Sequence, residues 1–354
     1  MIRLQQIAEQ FTSLGSAPQI SPLGNGLIND TYLVTPSNGN RFVLQGLNGR
    51  VFPQPEQVIA NLQRLNRHIG SQRAADVRLK IPVTLPTVAG SASYRDDSGQ
   101  VWRALELIEP AESREYISNP AEASQVGFAL AHFHKLCATL PAAELHDTLP
   151  GFHITPSYFE TYRQRLAQPL QVTCDTAFNE CRDFIDRMQQ RIPVLEQAKQ
   201  RGELRERVIH GDPKLNNFLF ETGSDRIVSL IDLDTVKPGL VHYDIGDCLR
   251  SCCHNPSNNE FDLARCQTIL ESYLQEAGEF FTANDYDYLY PAIWLIPFEL
   301  GLRFFSDYLD GNQYFKVSTP RQNLERAQAL FVLCGSIERQ KDLLEGLIAR
   351  CKGG

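Results

Sequence analysis

The run HGDPKLNN at 210–217, followed by LIDLDTV at 230–236, sets a carboxylate, an amide and a second carboxylate in an order suited to moving a phosphoryl group. Asp212 precedes Asn217 by five residues, the offset between base and magnesium-binding amide in phosphoryl-transfer loops. Between them and Asp232 lie two short apolar runs, Phe218 to Phe220 and Ile227 to Ile231, separated by turn-forming residues from Glu221 to Asp225. That pattern predicts an antiparallel hairpin. A pairing centred near Ser224 and Asp225 sets Asn217 opposite Asp232 at the open end, where an amide oxygen and a carboxylate can share one hard cation. Asp212 lies one loop upstream, within reach of an incoming hydroxyl. HGD and DxD strings taken singly also occur as capped surface turns; the order and the hairpin favour catalysis. His210 is expected to brace the loop rather than touch substrate.

The flanking sequence must supply a cleft. TYLVT (31–35) and RFVLQ (41–45) flank one turn, SASYR (91–95) and VWRALEL (101–107) another, and both pairs predict hairpins. Between them Val58, Leu62, Leu65 and Ile69 recur at helical spacing, so one amphipathic helix should lie on a small antiparallel sheet. From Asn119 and Pro120 onward the signals are helical, over about 120–140, 176–200, 260–277, 285–305 and 320–350. The expected class is α+β with two lobes: a β-rich lobe over 1–108, with a strand-like hinge at Leu105 to Glu109, and a mainly helical lobe over 109–354. The loop SPLGNGLINDTY at 21–32 stands before the first hairpin, and Gly24 and Gly26 suit backbone N–H groups that cover phosphates.

Composition narrows the partners. The 354 residues are 42% hydrophobic and 21% charged, ordinary for a globular protein with two lobes. A net charge of −8 offers no basic footprint for nucleic acid or an anionic membrane. No apolar run is long enough to span a bilayer, MIRLQQIAEQ has no signal-peptide core, and a cytoplasmic protein is expected. The nine cysteines contain no C-x-x-C pair; even Cys248, Cys252 and Cys253 beside His254 are expected as buried free thiols rather than a metal site.

HGDPKLNNFLF with LIDLDTV resembles the aminoglycoside phosphotransferase and choline kinase superfamily, whose fold is that of protein kinases. Within it, GNGLINDTYLV (24–34), FVLQGLNGRVFPQPEQV (42–58), KPGLVHYDIGDCLRS (237–251) and LRFFSDYLDGNQYFK (302–316) resemble the bacterial N-acetylhexosamine 1-kinase group. The resemblance implies ATP and Mg2+ as co-substrate and cofactor, Asp212 as base for a sugar hydroxyl, and Asn217 and Asp232 as metal ligands. It implies that Gly24, Asn25, Gly26, Asn29 and Thr31 cover the nucleotide, that Glu106 to Ile108 meet adenine through their backbone, and that Arg303 and Tyr314 hold the sugar. It makes Asp244 a loop-bracing aspartate and leaves Asp234 open as a supporting or sugar-binding group. One position departs from the kinase pattern: FVLQ puts Gln45 where a phosphate-binding lysine would stand. Gln45 can hydrogen-bond a phosphate without matching the charge, and neither Arg41 nor Arg50 is guaranteed to reach the cleft.

Three activities follow as expectations. The first is ATP-dependent phosphorylation of the anomeric hydroxyl of N-acetylglucosamine or N-acetylgalactosamine, by a monomer or homodimer. The second keeps the fold and changes the acceptor to an aminoglycoside, choline, homoserine or another small alcohol. The third is a catalytically silent binding module, which Gln45 would favour and Asp212, Asn217 and Asp232 oppose.

Overall fold

A computed structural model of the chain describes residues 2–15, 18–24, 28–37, 39–73, 76–170 and 172–353. The first lobe comprises α1 (Ile2–Ala8), β1 (Gln19–Pro22), β2 (Asp30–Thr35), β3 (Phe42–Gly46), α2 (Pro55–Gly70), β4 (Thr84–Leu85), β5 (Tyr94–Arg95) and β6 (Val101–Glu106). Its strands form one antiparallel sheet in the order β1-β2-β3-β6-β4, with β5 also on β6. Both expected hairpins are present. Residues opposite one another in antiparallel strands share a face, so Leu44 and Ala104 point to one side while Thr31, Gln45 and Arg103, paired across β2, β3 and β6, point to the other. The first face is apolar and is closed by Ile7, Ala8 and Phe11 from α1 and the turn after it, elements the sequence pattern did not announce. The second face is mixed, carrying Val43 and Leu105 beside these polar groups, and turns towards the other lobe.

That lobe begins at β7 (Ala111–Ser113) and continues through α3 (Pro120–Cys137), α4 (Thr155–Leu166), α5 (Thr176–Met188), α6 (Val194–Gln200), β8 (Arg207–Ile209), β9 (Phe218–Glu221), β10 (Ile227–Leu230), β11 (Lys237–Gly239), α7 (Val241–Cys253), β12 (His254–Asn255), β13 (Glu260–Phe261), α8 (Leu263–Ala277), α9 (Ala283–Asp287), α10 (Leu289–Leu309), α11 (Gln322–Arg339) and α12 (Lys341–Gly353). Asn119 caps α3 as expected, accepting from Glu122 N at 3.0 Å, but the Glu122 carboxylate reaches back to Ser118 N rather than to the cap's own amide. Several expected helices divide. The 176–200 stretch breaks into α5 and α6 before Pro193, which has no amide hydrogen to continue a ladder. Residues 260–261 belong to β13, a Thr282 capping box opens a separate α9, and α11 yields to α12 at Gln340. Helix α7 escaped notice although Val241, Ile245, Cys248 and Cys252 recur at helical spacing; nearly every position is buried, Asp244 and Asp247 included, so its polar residues do not mark a solvent face. Gly127 on α3 explains the closest helix contact, since a Cβ there would stand 2.1 Å from the Ile269 carbonyl of α8.

Helix α2 does more than cover the sheet. Its Leu62, Leu65 and Ile69 join Ile81, Leu105 and the α3 residues Val126, Leu130 and Phe133 in one apolar cluster, and Asn61 Nδ2 donates to the carbonyls of His146 and Val236 at 2.8 and 2.9 Å. The lobes are therefore joined by a continuous core beside the open cleft, with residues 107–109 leaving the sheet ladder between them.

Burial also makes the helical lobe sensitive to acid. On α7, His242 donates from Nε2 to the Asp285 carbonyl at 2.9 Å while Nδ1 is buried with no partner. Burial pushes its pKa down to about 4, only partly opposed by Asp285. A group held deprotonated in the fold but free to protonate near pH 6.5 when unfolded destabilises the native state as pH falls from about 6.5 towards 4, by roughly 2–3 kcal/mol at the lower end. Urea unfolding of His242→Gln should therefore lose less stability between pH 7 and pH 4.5 than the parent chain; an identical loss in both proteins would remove this assignment.

Candidate active site

Strands β8 and β11 pair Ile209 with Lys237 and carry HGD out of the core. Beneath it Asp244, on α7 and fully buried, accepts from His210 N at 2.7 Å, Gly211 N at 2.8 Å and His134 Nε2 at 2.8 Å. Burial alone would raise the Asp244 carboxyl pKa; the His134 contact and these donors hold it below the ordinary range. His210 is itself buried and bonds the Ile231 carbonyl through Nε2 at 3.0 Å, a bracing position like the one expected. Gly211 has φ 88°, and a Cβ would meet the Thr235 carbonyl at 2.6 Å, so this turn requires glycine.

Above the brace three side chains converge. Lys214 places Nζ 2.6 Å from Asp212 Oδ2 and 3.9 Å from Asp232 Oδ2, and Asn217 donates from Nδ2 to the Asp212 carbonyl at 2.7 Å. The expected hairpin forms, but its register is corrected: a bulge between Ile227 and Ser229 sets Ile231, not Asp232, opposite Asn217. The chain then turns at Asp232 itself, in the left-handed region (φ 63°, ψ 50°) that aspartate tolerates better than most residues, and this turn swings its carboxylate back to the shared site. Surrounding protein, together with Asp234 and Asp212, pushes the carboxyl of Asp232, whose side chain is 42% exposed, up to about 6, while Lys214 and Arg103 oppose the shift. Burial disfavours the Lys214 ammonium, yet Asp212 and Asp232 outweigh it and raise its pKa. Lys214 was legible in HGDPKLNN and was overlooked there.

On the sheet side, Gly24 adopts φ 71°, with Leu23 N bonded to the Thr31 carbonyl at 3.0 Å; Asn25 and Gly26 lie outside the described residues. Gln45 donates from Nε2 to Thr31 Oγ1 at 3.1 Å and accepts on Oε1 from Arg103 Nε and Nη2 at 3.1 and 2.8 Å. Arg103 continues to Asp234 in a salt bridge whose two side chains are each 2% exposed. Asn29 completes the bridge, donating to Asp234 at 2.6 Å and accepting from Asn48 N at 3.0 Å, so its amide ties the lobes together. Glu106 closes β6 with its N–H bonded to the Val83 carbonyl, and Ile108 follows in the connecting segment. Arg41 is paired with Glu109, away from these groups.

A third group of residues stands on the helical side. Arg303 on α10 lies among four rings, 5.2 Å from Phe152, 5.0 Å from Tyr158, 5.9 Å from Tyr314 and 5.5 Å from Phe315, and it has no carboxylate partner among the described residues. Tyr314 is 56% exposed rather than a core ring. Its loop is fixed by Asp307, which accepts from the N–H groups of Tyr314 and Phe315 at 2.8 and 2.9 Å. His153 connects this cluster to the catalytic loop: Nε2 bonds the Gly211 carbonyl at 2.8 Å and Nδ1 bonds Glu299 at 3.0 Å, one helical turn before Arg303. Burial disfavours its imidazolium, but Glu299 and the other acceptors raise the pKa overall. Asp247 on α7 pairs with Arg250 through Oδ1 and leaves Oδ2 buried without a partner. His153 stood in no motif, whereas Asp247 falls within KPGLVHYDIGDCLRS as a polar group near the loop whose role the sequence left unassigned.

Among the described residues no group of three His, Cys, Asp or Glu side chains is arranged to hold a metal. A magnesium ion suits what is present: with Nδ2 of Asn217 committed to the loop, its Oδ1 and the Asp232 carboxylate offer two hard oxygens, and phosphate oxygens and water complete the shell of such ions. Eight cysteines are buried or half-buried, Cys174 is exposed, and all nine are free. No described helix is long and apolar enough to cross a membrane.

Solved structures share this fold. A microcompartment-associated aminopropanol kinase superposes with a TM-score of 0.67 at 17% identity, covering 97% of this chain and 98% of the other. An aminoglycoside phosphotransferase from Alicyclobacillus acidocaldarius gives 0.65 at 17% identity, covering 99% and 96%. Amicoumacin kinase, in a complex with AMP-PNP and Ca2+, gives 0.64 at 16% identity, covering 93% and 92%. The β-sheet lobe and the helical lobe are thus those of kinase-like phosphotransferases. The model of the phosphotransferase enzyme family matches residues 19–281, a span that holds the catalytic loop, the hairpin and the whole sheet, and the chain belongs to that family.

Proposed function

We propose that the protein is an ATP- and magnesium-dependent kinase that phosphorylates the anomeric hydroxyl of an N-acetylhexosamine. The observation that carries this reading is the meeting of Asp212 and Asp232 at Lys214, with Asn217 bonded to Asp212 and His153 linking the same loop to Glu299 on the helix that carries Arg303. Phosphoryl transfer needs positioning and charge neutralisation more than covalent chemistry from the protein. Asp212 would orient the sugar hydroxyl and take its proton; the anomeric hydroxyl is the most acidic on a sugar, so a carboxylate suffices. Magnesium, when bound, would neutralise the phosphates. Lys214 would move from Asp212 and Asp232 to the transferring phosphoryl oxygens. Gly24 and the residues after it would cover the nucleotide, and the backbone of Glu106 to Ile108 would meet adenine. Tyr314 offers a ring face and a hydroxyl to a sugar, and Arg303 a planar fork for hydroxyls or the acetamido oxygen.

The aminopropanol kinase with this fold raises a second reading, an amino alcohol as acceptor. The unpartnered Asp247 Oδ2 favours it, since a buried carboxylate oxygen can take an ammonium as well as a hydroxyl. The free guanidinium of Arg303 opposes it by like-charge repulsion.

A product assay separates the two. Incubated with MgATP and a panel of N-acetylhexosamines, amino alcohols and aminoglycosides, the protein should yield a sugar 1-phosphate, located by phosphorus NMR; phosphate only on amine-bearing acceptors would end the sugar reading. Asp212→Asn should lower kcat by about 10²- to 10⁴-fold while calorimetry finds hexosamine affinity unchanged, and near-normal turnover would dismiss Asp212 as base. Lys214→Met should lower kcat by about 10²-fold or more, the usual loss when one donor to developing charge is removed; a change confined to the hexosamine KM would place Lys214 elsewhere.

A further inference from the structure

We infer that Arg103 is the cation that binds the nucleotide phosphates here, in the position left without charge by Gln45. The inference rests on the kinase reading above and adds a residue to it.

In the kinase pattern a lysine on the third strand pairs with the phosphates, and that strand here presents Gln45 instead. The register places Arg103 directly across from Gln45, on the same cleft-facing side of the sheet. Its guanidinium reaches the same spot, because Nε and Nη2 both donate to Gln45 Oε1. A charge removed from one strand is thus restored from its neighbour, with the glutamine amide as the splint. At the other end Arg103 meets Asp234, two residues beyond the candidate metal ligand Asp232, and Asn29 from the end of the glycine loop meets the same carboxylate. The guanidinium therefore stands between the loop expected to cover phosphates and the side chain expected to hold their metal.

One nitrogen of this donor set is left over: Nη1 is buried and has no protein acceptor, in a guanidinium on the cleft-facing side of the sheet. Buried N–H groups without partners are rare and costly, and they call for an explanation. A phosphate oxygen supplies the missing acceptor for Nη1, the one guanidinium nitrogen not already donating to Gln45 or Asp234, in a charge-assisted hydrogen bond. The charge balance agrees. Asp212, Asp232 and Asp234 crowd the cleft, and Lys214, already shared by two of them, cannot alone compensate a polyphosphate.

The test measures equilibrium binding of adenosine, AMP and ADP to the full chain by calorimetry, with magnesium present. Arg103→Gln, which keeps a donor for Asp234, should weaken ADP by about 10- to 100-fold, the range for a lost charge-assisted hydrogen bond, and leave adenosine unchanged. Adding Gln45→Lys to that variant should restore most of the ADP affinity by returning the charge to the third strand, and Arg103→Lys should retain most of it. Equal losses for adenosine and ADP would make Arg103 a lobe-joining residue and overturn the inference, as would no loss for either, while leaving the kinase reading intact. A parent protein that binds none of the three ligands would overturn both.

Discussion

A single buried carboxylate fixes the geometry on which the cleft depends. Asp244 gathers two consecutive backbone N–H groups of the catalytic loop and the ring of His134, and His134 passes the constraint to Tyr273 on α8 at 2.8 Å. Such a carboxylate is worth burying only if all its donors stay in place, since a charge left unpaired in a core is among the costliest defects. The loop is thereby tied to α3, α7 and α8 at once. Asp212 and Asn217 then project from a rigid base, which matters under the proposed reading because small misplacements of a catalytic group cost large factors in rate. His153 adds a second anchor from the acceptor side by bonding the Gly211 carbonyl.

Above that base, the cleft is built with too many carboxylates for its cations. Asp212, Asp232 and Asp234 lie close enough that one of them titrates upward, and Lys214 and Arg103 are the positive groups set against them. A magnesium nucleotide would bring two charges of its own and a polyphosphate to occupy the cations. Lys214 is shared by Asp212 and Asp232, and Arg103 has one nitrogen to spare, so under the proposed reading the same groups would serve the metal and the phosphates.

The sequence made the catalytic half legible because its constraints are local. HGDPKLNN carries the proposed base and amide within one turn of chain, Gly211 marks a backbone that admits no side chain, and the β2–β3 and β9–β10 hairpins follow from apolar runs around turn residues. The register of β9 and β10 was misjudged because the turn centres between Gly223 and Ser224, with Glu221 N bonded to the Arg226 carbonyl, and because a bulge, which depends on how the strand meets its neighbours, then shifts the ladder by one. Helix α7 was hidden by being buried on all sides, and α1 by its brevity. Arg103 was hidden differently. An arginine in the apolar strand VWRALEL was a visible anomaly, but its meaning lies in Asp234, 131 residues away in sequence. Pairings of that range become visible only when strand order is known.

The acceptor is a separate problem from the reaction, and the chain divides the two physically. Every group proposed to handle phosphate, from Gly24 through Asp232, falls within the span matched by the phosphotransferase family, residues 19–281. Arg303 and Tyr314 fall beyond it, on α10 and the loop that Asp307 shapes. Their cluster sets the Arg303 guanidinium among four rings, one helical turn from Glu299, so ring faces and a planar donor fork stand together there. A common phosphate-handling core with acceptor side chains drawn from later helices lets one fold serve many alcohols, since changing the acceptor need not disturb Asp244, the loop it holds, or the cations of the cleft.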